Sequence, residues 1–378
     1  MKAIVFHGPH DIRLEEDWPD TPAPAPGEVT VDVSWCGVCG TDIEEWQSGV
    51  GIIPLDEPHA LTGRQAPLVL GHEFSGRVAK LGDGVDGLRV GQSVAAEVVI
   101  ACRDCYYCQR HNYSLCPRTG AIGQSTDGAF RRSVNVPAYN LFPLPEGGRE
   151  DVAALAEPVA VAVHAVRRGN VRPGQRVAVV GAGPIGLACQ AVALIAGASD
   201  VYTVEFNARR LQAARSLGAT EVFDANDPLW QEAFLDITQG RGADVVLETG
   251  ASTSSVTSGL GLTGRGGRLV MVSVPREPLA LDSLDFFIKE KEIVASVSHI
   301  YDEDFRTAVS YLMDGRIDGS RFITRYVHLA DGIEKGFEAL LTSKDDIKIL
   351  VTPHDEWELP QSGIQGLGAA SPTEREAC

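Results

Sequence analysis

The feature that most limits how this chain can fold is an alternation that begins near residue 176. RVAVV runs into GAGPIG and then LACQAVALIAGA; VYTVEF runs into ARRLQAARSLGA and then EVFDA; ADVVLETG and GGRLVMVSV continue the series. Each strand segment is apolar on both faces, as a parallel strand covered by helices must be. Strand, helix and strand in that rhythm specify a doubly wound α/β domain, placed here at residues 158–299.

The glycine turn implies what such a domain holds. Gly181, Gly183 and Gly186 follow directly on a strand, and Pro184 and Ile185 open the next helix. Gly181 makes the tight turn, Gly183 lets backbone approach a pyrophosphate, and Gly186 brings helix against strand. The helix N-terminus then faces the phosphates. Glu205 lies 19 residues past Gly186 and ends the following strand, where an adenosine ribose sits. Its charge repels a 2′-phosphate, so NAD is expected over NADP, although Arg209 and Arg210 pull the other way.

A second constraint is ACRDCYYCQRHNYSLC, in which Cys102, Cys105, Cys108 and Cys116 are spaced by three, three and eight residues. Four thiolates at that spacing close a tetrahedron around one zinc from a single loop. A closed site leaves no position for substrate, so this zinc is expected to be structural. A disulfide cluster fits less well, because the start MKAIVFHGPHDIRL carries no charged-then-apolar leader; the expectation is a cytoplasmic protein.

The first 150 residues are of another kind. Short β-type runs (KAIVF, EVTVDVSW, FSGRVAKLG, SVAAEVVI) are punctuated by Gly and Pro, which suggests an irregular, barrel-like β domain. Past residue 300 two helical segments and the strand KILVTP return the chain to a mixture, and Trp357–Cys378 is expected to be a flexible tail. A formal charge of −18 argues against nucleic-acid or anionic-membrane partners, and the longest apolar stretches are interrupted by Glu157, Pro158 and His164.

Three further segments carry ligand-type side chains: GVCGTD with Cys39, LGHEFSG with His72 and Glu73, and LAEPVAVAVH with Glu157. Taken singly, Cys39 reads equally as a small buried hydrophobe, His72 as a turn histidine, and Glu157 as a helix-start acid.

In the order GVCGTD, GHEFSG, four-cysteine loop, AEP and GAGPIG, the chain resembles the zinc-dependent medium-chain alcohol and polyol dehydrogenases over nearly its whole length. The 33-residue link from Cys39 to His72 and LAEPVAVAVHAV resemble the (R,R)-2,3-butanediol dehydrogenase branch. The resemblance implies a GroES-like β-barrel catalytic domain at 1–157, closed by residues 300–355, with a parallel-sheet Rossmann domain between. It implies two zincs per chain, the catalytic one held by Cys39, His72 and Glu157, with Glu73 as an alternative or exchanging ligand.

It further implies that NAD binds first and that the substrate hydroxyl takes the open zinc position. Thr41 would accept the hydroxyl proton and pass it through the nicotinamide ribose toward solvent, while hydride moves to the ring. Arg210 lies with the cofactor residues, and backbone around Val272 and Val274 resembles the segment that fixes the carboxamide. Many members carry a histidine five residues after the ligand cysteine; here that position is Glu44, a weaker base near pH 7. The implied substrate is a small vicinal diol or its hydroxyketone, with sorbitol- or threonine-type chemistry as the alternative. A non-catalytic NAD-binding protein on the same scaffold is the more distant one. The implied assembly is a homodimer or homotetramer, with GGRLVMVSVP as the candidate edge strand.

Overall fold

The computed structural model describes residues 1–343 and 345–362. The N-terminal part contains β1 (Ala3–Gly8), β2 (Asp11–Glu15), β3 (Glu28–Gly37), α1 (Gly40–Ser48), β4 (Leu68–Val69), β5 (Glu73–Leu81) and β6 (Ser93–Ala96). It continues through β7 (Val99–Ile100), β8 (Gly120–Ala121), β9 (Ser133–Pro137), β10 (Leu141–Pro143) and the helices α2 (Glu150–Ala153) and α3 (Ala156–Arg168). The alternating part follows: β11 (Arg176–Val180), α4 (Pro184–Ile195), β12 (Asp200–Glu205), α5 (Ala208–Ser216), β13 (Glu221–Asp224) and α6 (Trp230–Ile237). Then come β14 (Ala243–Glu248), α7 (Thr253–Leu262), β15 (Thr263–Met271), α8 (Ser283–Ile288) and β16 (Glu292–Ala295). The chain closes with α9 (Arg306–Met313), β17 (Ile323–His328), α10 (Ala339–Thr342) and β18 (Lys348–Thr352).

The apolar runs of the alternating part form a six-stranded sheet of order β13-β12-β11-β14-β15-β16, and every pairing in it is parallel. That is the doubly wound Rossmann order, whose strand order reverses between β11 and β14 and opens a crevice at the carboxyl ends of the strands. Val177, Val179, Val245 and Leu247 are at most 1% exposed, which is why these strands read as unbroken apolar runs. The expected edge strand is corrected here. The run GGRLVMVSVP supplies β15, which lies inside the sheet with β14 on one side and β16 on the other. β16 is short and half-exposed, so it carries a weaker pattern than the buried strand it flanks.

The other large sheet has the order β10-β6-β5-β3-β18-β17, with β9 also pairing with β3. It contains β18, whose five residues are all buried between β17 and β3, so the last strands complete a sheet begun near residue 28. α3 packs on both α4 and α9 and ties the two sheets into one core. The tail does not begin at Trp357: its ring stacks on His354 (centroids 3.8 Å apart) and leans on Trp35 at 5.9 Å. A large aromatic gains too much by covering the sheet to stay in solvent. Of the expected tail, residues 363–378 lie outside the described residues.

Candidate metal and cofactor site

The loop between β7 and β8 gathers the ligand atoms of Cys102, Cys105, Cys108 and Cys116. The Cys102 and Cys108 sulfurs are 3.8 Å apart, and those of Cys102 and Cys116 are 3.4 Å apart. Zinc bonds of ~2.3 Å place tetrahedral sulfurs about 3.8 Å from one another. The separations therefore suit ligands of one ion. All four are free thiols, as are Cys36, Cys39 and Cys189. The backbone N–H of Cys108 brings the Cys105 thiol down to about 7, while burial pushes Cys108 up to about 12. A divalent cation relieves that conflict by holding all four as thiolates.

The second cluster forms where two turns meet. Cys39 caps α1 at the end of β3, while His72 and Glu73 enter β5. One ligand atom from each of Cys39, His72 and Glu73 falls within 4.8 Å of the others. The turn needs glycines for stated reasons. Gly71 has φ of 102°, and a Cβ on Gly37 would stand 2.2 Å from a Glu73 carboxylate oxygen. His72 Nδ1 lies 3.2 Å from Asp42 Oδ1, which leaves the other ring nitrogen for a ligand. Burial works against a charged His72, but Asp42 and Cys39 outweigh it and raise the imidazole well above its usual value.

Glu73 is the partner of a buried lysine: Lys348 Nζ donates to both carboxylate oxygens, at 2.8 and 2.6 Å. The structure leaves Glu157 outside the three-residue cluster. It sits in the first turn of α3, 3.8 Å from the His299 ring. Burial pushes the Glu157 carboxyl up and nearby Glu73 adds to this, while His299 and His72 pull it down. Thr41 Oγ1 lies 3.7 Å from Cys39 Sγ. Glu44 points from α1 into solvent, and among the described residues no hydrogen bond joins it to Thr41. Asp42, Lys348, Glu97 and His299 belong to this site and were not singled out from the sequence. Asp42 stands within GVCGTD itself, three residues from Cys39, and was the one with a local signal.

The donor set of sulfur, imidazole and carboxylate is the mixed type that open zinc sites use, so the residues fit a catalytic zinc. A nicotinamide dinucleotide fits the crevice between β11 and β14. Gly181 turns at φ 97°, and a Cβ on Gly186 would lie 1.9 Å from the Gly181 carbonyl oxygen. A Cβ on Gly183 would meet nothing within 4 Å, so the backbone there is open to a ligand. Pro184 starts α4, and Ile185 packs partly against the core.

A cavity of about 460 Å³ opens here, lined among others by Gly181, Gly183, Glu205, Arg210, Trp230 and Thr249. Glu205 braces its wall. One carboxylate oxygen accepts the Ala182 N–H at 2.8 Å; the other accepts those of Phe206 and Asn207 at 2.7 and 3.0 Å. Arg210 lines the cavity while donating to the Asp346 carbonyl at 3.1 Å, and Arg209 pairs with Asp345 at 3.5 Å. Val272 N donates to the Glu248 carbonyl at 2.9 Å, whereas the Val274 side chain is 82% exposed. Buried Glu248 also joins the first turn of α7 to the loop after β15, accepting from Ser255 and Ser273 hydroxyls at 2.6 and 2.7 Å.

Comparison with known proteins agrees with this geometry. The family described as alcohol dehydrogenase GroES-like domain matches residues 25–146, and that described as zinc-binding dehydrogenase matches residues 184–314. The (R,R)-butanediol dehydrogenase of Bacillus subtilis is 35% identical, covering 94% of this chain and all of the relative. Sorbitol dehydrogenase of the same organism is 30% identical, covering 94% of this chain and 98% of the relative. The crystal structure of 2R,3R-butanediol dehydrogenase from Bacillus subtilis superposes with a TM-score of 0.86 at 34% identity, covering 93% of this chain and 99% of that one.

Proposed function

The chain belongs to the zinc-dependent medium-chain alcohol dehydrogenase family, and we propose that it moves a hydride between NAD and a small vicinal diol or hydroxyketone. The best candidate pair is (R,R)-2,3-butanediol and acetoin. The observation that carries the reading is the meeting of Cys39, His72 and Glu73 within 4.8 Å on a chain 35% identical to a butanediol dehydrogenase.

In this reading Cys39, His72 and Glu157 hold the catalytic zinc, and the cysteine loop holds a second, structural zinc. Glu73, occupied by Lys348, sets the charge behind the first. When bound, the zinc supplies a Lewis acid that lowers the pKa of an alcohol. Thr41 Oγ1, beside Cys39, would accept the hydroxyl proton, and exposed Glu44 stands where a relay histidine would end the path to solvent. The glycine turn and the N-terminus of α4 hold the pyrophosphate, while Glu205 disfavours a 2′-phosphate and Arg210 closes the adenosine end. The backbone from Val272 to Val274 steadies the carboxamide. The cysteine-to-histidine link runs by the mouth of the pocket. A second substrate hydroxyl paired there discriminates strongly against a simple alcohol, which leaves that group unpaired.

The protein is proposed to be cytoplasmic and to act as a homodimer or homotetramer. Supporting the assembly are the uncovered edge of β16 and the exposed apolar face of α8, with Leu284 69% and Phe287 80% exposed. Among the described residues, no helix is long and apolar enough to cross a membrane.

The deciding experiment follows NADH and NADPH absorbance with (R,R)-2,3-butanediol, acetoin, 2-butanol, sorbitol and threonine. Butanediol and acetoin with NAD(H) should give the highest kcat/KM. Equal efficiency on 2-butanol, or sorbitol turnover well above butanediol, overturns the substrate and leaves the dehydrogenase chemistry standing.

A further inference from the structure

Behind Glu157 lies a buried group with no task in the reaction so far. His299 and Glu97 are both 0% exposed, with ring Nε2 2.5 Å from Glu97 Oε2. Glu97 is itself fixed: its other oxygen accepts the Val99 N–H at 2.7 Å, and its backbone carbonyl accepts from Asn140 Nδ2 at 2.8 Å. The second ring nitrogen, Nδ1, faces Glu157 Oε1 at 3.8 Å, with Ser298 Oγ at 3.5 Å. One buried imidazole thus has a carboxylate at each nitrogen. The contact with Glu97 fixes the ring, and its Nδ1 edge faces one oxygen of the Glu157 carboxylate at ion-pair rather than hydrogen-bond distance. The other Glu157 oxygen is then left for a ligand.

The backbone beside His299 is held as firmly. Tyr301 packs on Tyr113 with centroids 4.6 Å apart, Arg103 donates to its hydroxyl at 3.1 Å, and His111 meets Asp302 at 2.7 Å. Arg103, His111 and Tyr113 belong to the cysteine loop, so that loop anchors the segment carrying His299.

We propose that His299 is a positioning residue for the metal centre, orienting the Glu157 carboxylate toward Cys39 and His72 from a base fixed on Glu97. This rests on the reading of Glu157 as a zinc ligand. Partners of this kind typically carry 10–100-fold in metal affinity.

The test is competition between the full-length protein and a chromophoric chelator for the exchangeable zinc. His299→Phe, whose ring fits beside Phe305 (5.9 Å from His299 now), should weaken zinc about 10–100-fold. His299→Gln, whose amide nitrogen replaces the donor toward one of the two carboxylates, should recover part of that loss. Should the Phe variant fail to fold around an unpaired Glu97, the double variant Glu97→Gln/His299→Phe leaves no buried charge there and must show the same loss. In a Glu157→Ala background, His299→Phe should cost nothing further. Unchanged affinity in the Phe variants, or an equal loss without Glu157, overturns the positioning role. Unchanged affinity in Glu157→Ala alone overturns the ligand reading itself.

Discussion

Replacing Lys348 by methionine removes the cation and leaves the volume. Lys348 and Glu73 side chains are 2% and 1% exposed, and Nζ is 2.6 Å from the nearer oxygen. At that distance, with an effective dielectric of about 20, the attraction is about 6 kcal/mol. Breaking such a buried pair from one side costs about 3–5 kcal/mol. A loss of about 3–5 kcal/mol at pH 7 is therefore expected in metal-stripped protein. Urea denaturation followed by tryptophan fluorescence reads it, since Trp35 in β3 and Trp46 in α1 flank the site. Glu73→Gln should cost a similar amount by stranding Lys348, and the double variant less than either alone. A coupling below about 1 kcal/mol in that cycle would refute the reasoning.

Four further outcomes are expected. Mild chelation should abolish activity while about one zinc per chain remains in the cysteine loop; a fully active chain with a single zinc would contradict two sites. NAD should give higher kcat/KM than NADP, and Glu205→Ser should narrow the difference; a parent that prefers NADP sinks the role given to Glu205. Light scattering at micromolar concentration should find a dimer or tetramer that Phe287→Asp weakens, and a monomeric parent would refute the α8 interface. Burial opposes the charge on Asp304, but hydrogen bonds from His164, the Ile300 N–H and Arg167 win and hold its carboxyl below the usual range. Its stabilisation is therefore present above the ordinary carboxyl value and lost as pH falls below about 4. Asp304→Asn should lose stability at pH 7 and show a flatter acid limb.

The parts legible from sequence are those whose physics is local. RVAVV, GAGPIG and the following helix declare a strand, a turn and a phosphate-facing N-terminus within twenty residues, and the cysteine ladder lies within one loop. What stayed hidden is paired across the chain. Lys348 reads as an ordinary start to KILVTP, and only folding reveals Glu73, 275 residues away, as its partner. His299 and Glu97 are separated by 202 residues, so neither has a neighbour that marks it. A buried run such as GGRLVMVSVP shows a stronger pattern than a half-exposed edge like EIVA, so pattern alone points to the wrong edge strand. Trp357 reads as tail because its surroundings are polar; its ring partners, His354 and Trp35, lie just past β18 and on β3.

The placement of β18 has a consequence for how the protein is made. Glu73 leaves the ribosome 275 residues before the lysine that neutralises it, roughly 15–55 s earlier at ordinary synthesis rates of about 5–20 residues/s. During that interval β11 to β16 emerge in full, and their contacts join segments near in sequence, so that sheet can close on its own schedule. The end of the sheet around Glu73 must wait, with Cys36 and Gly37 of β3 lacking their β18 partners and an acid awaiting its counter-charge. The cluster of Cys39, His72 and Glu73 thus gains its lysine late in the life of each molecule, after the parallel sheet has left the ribosome.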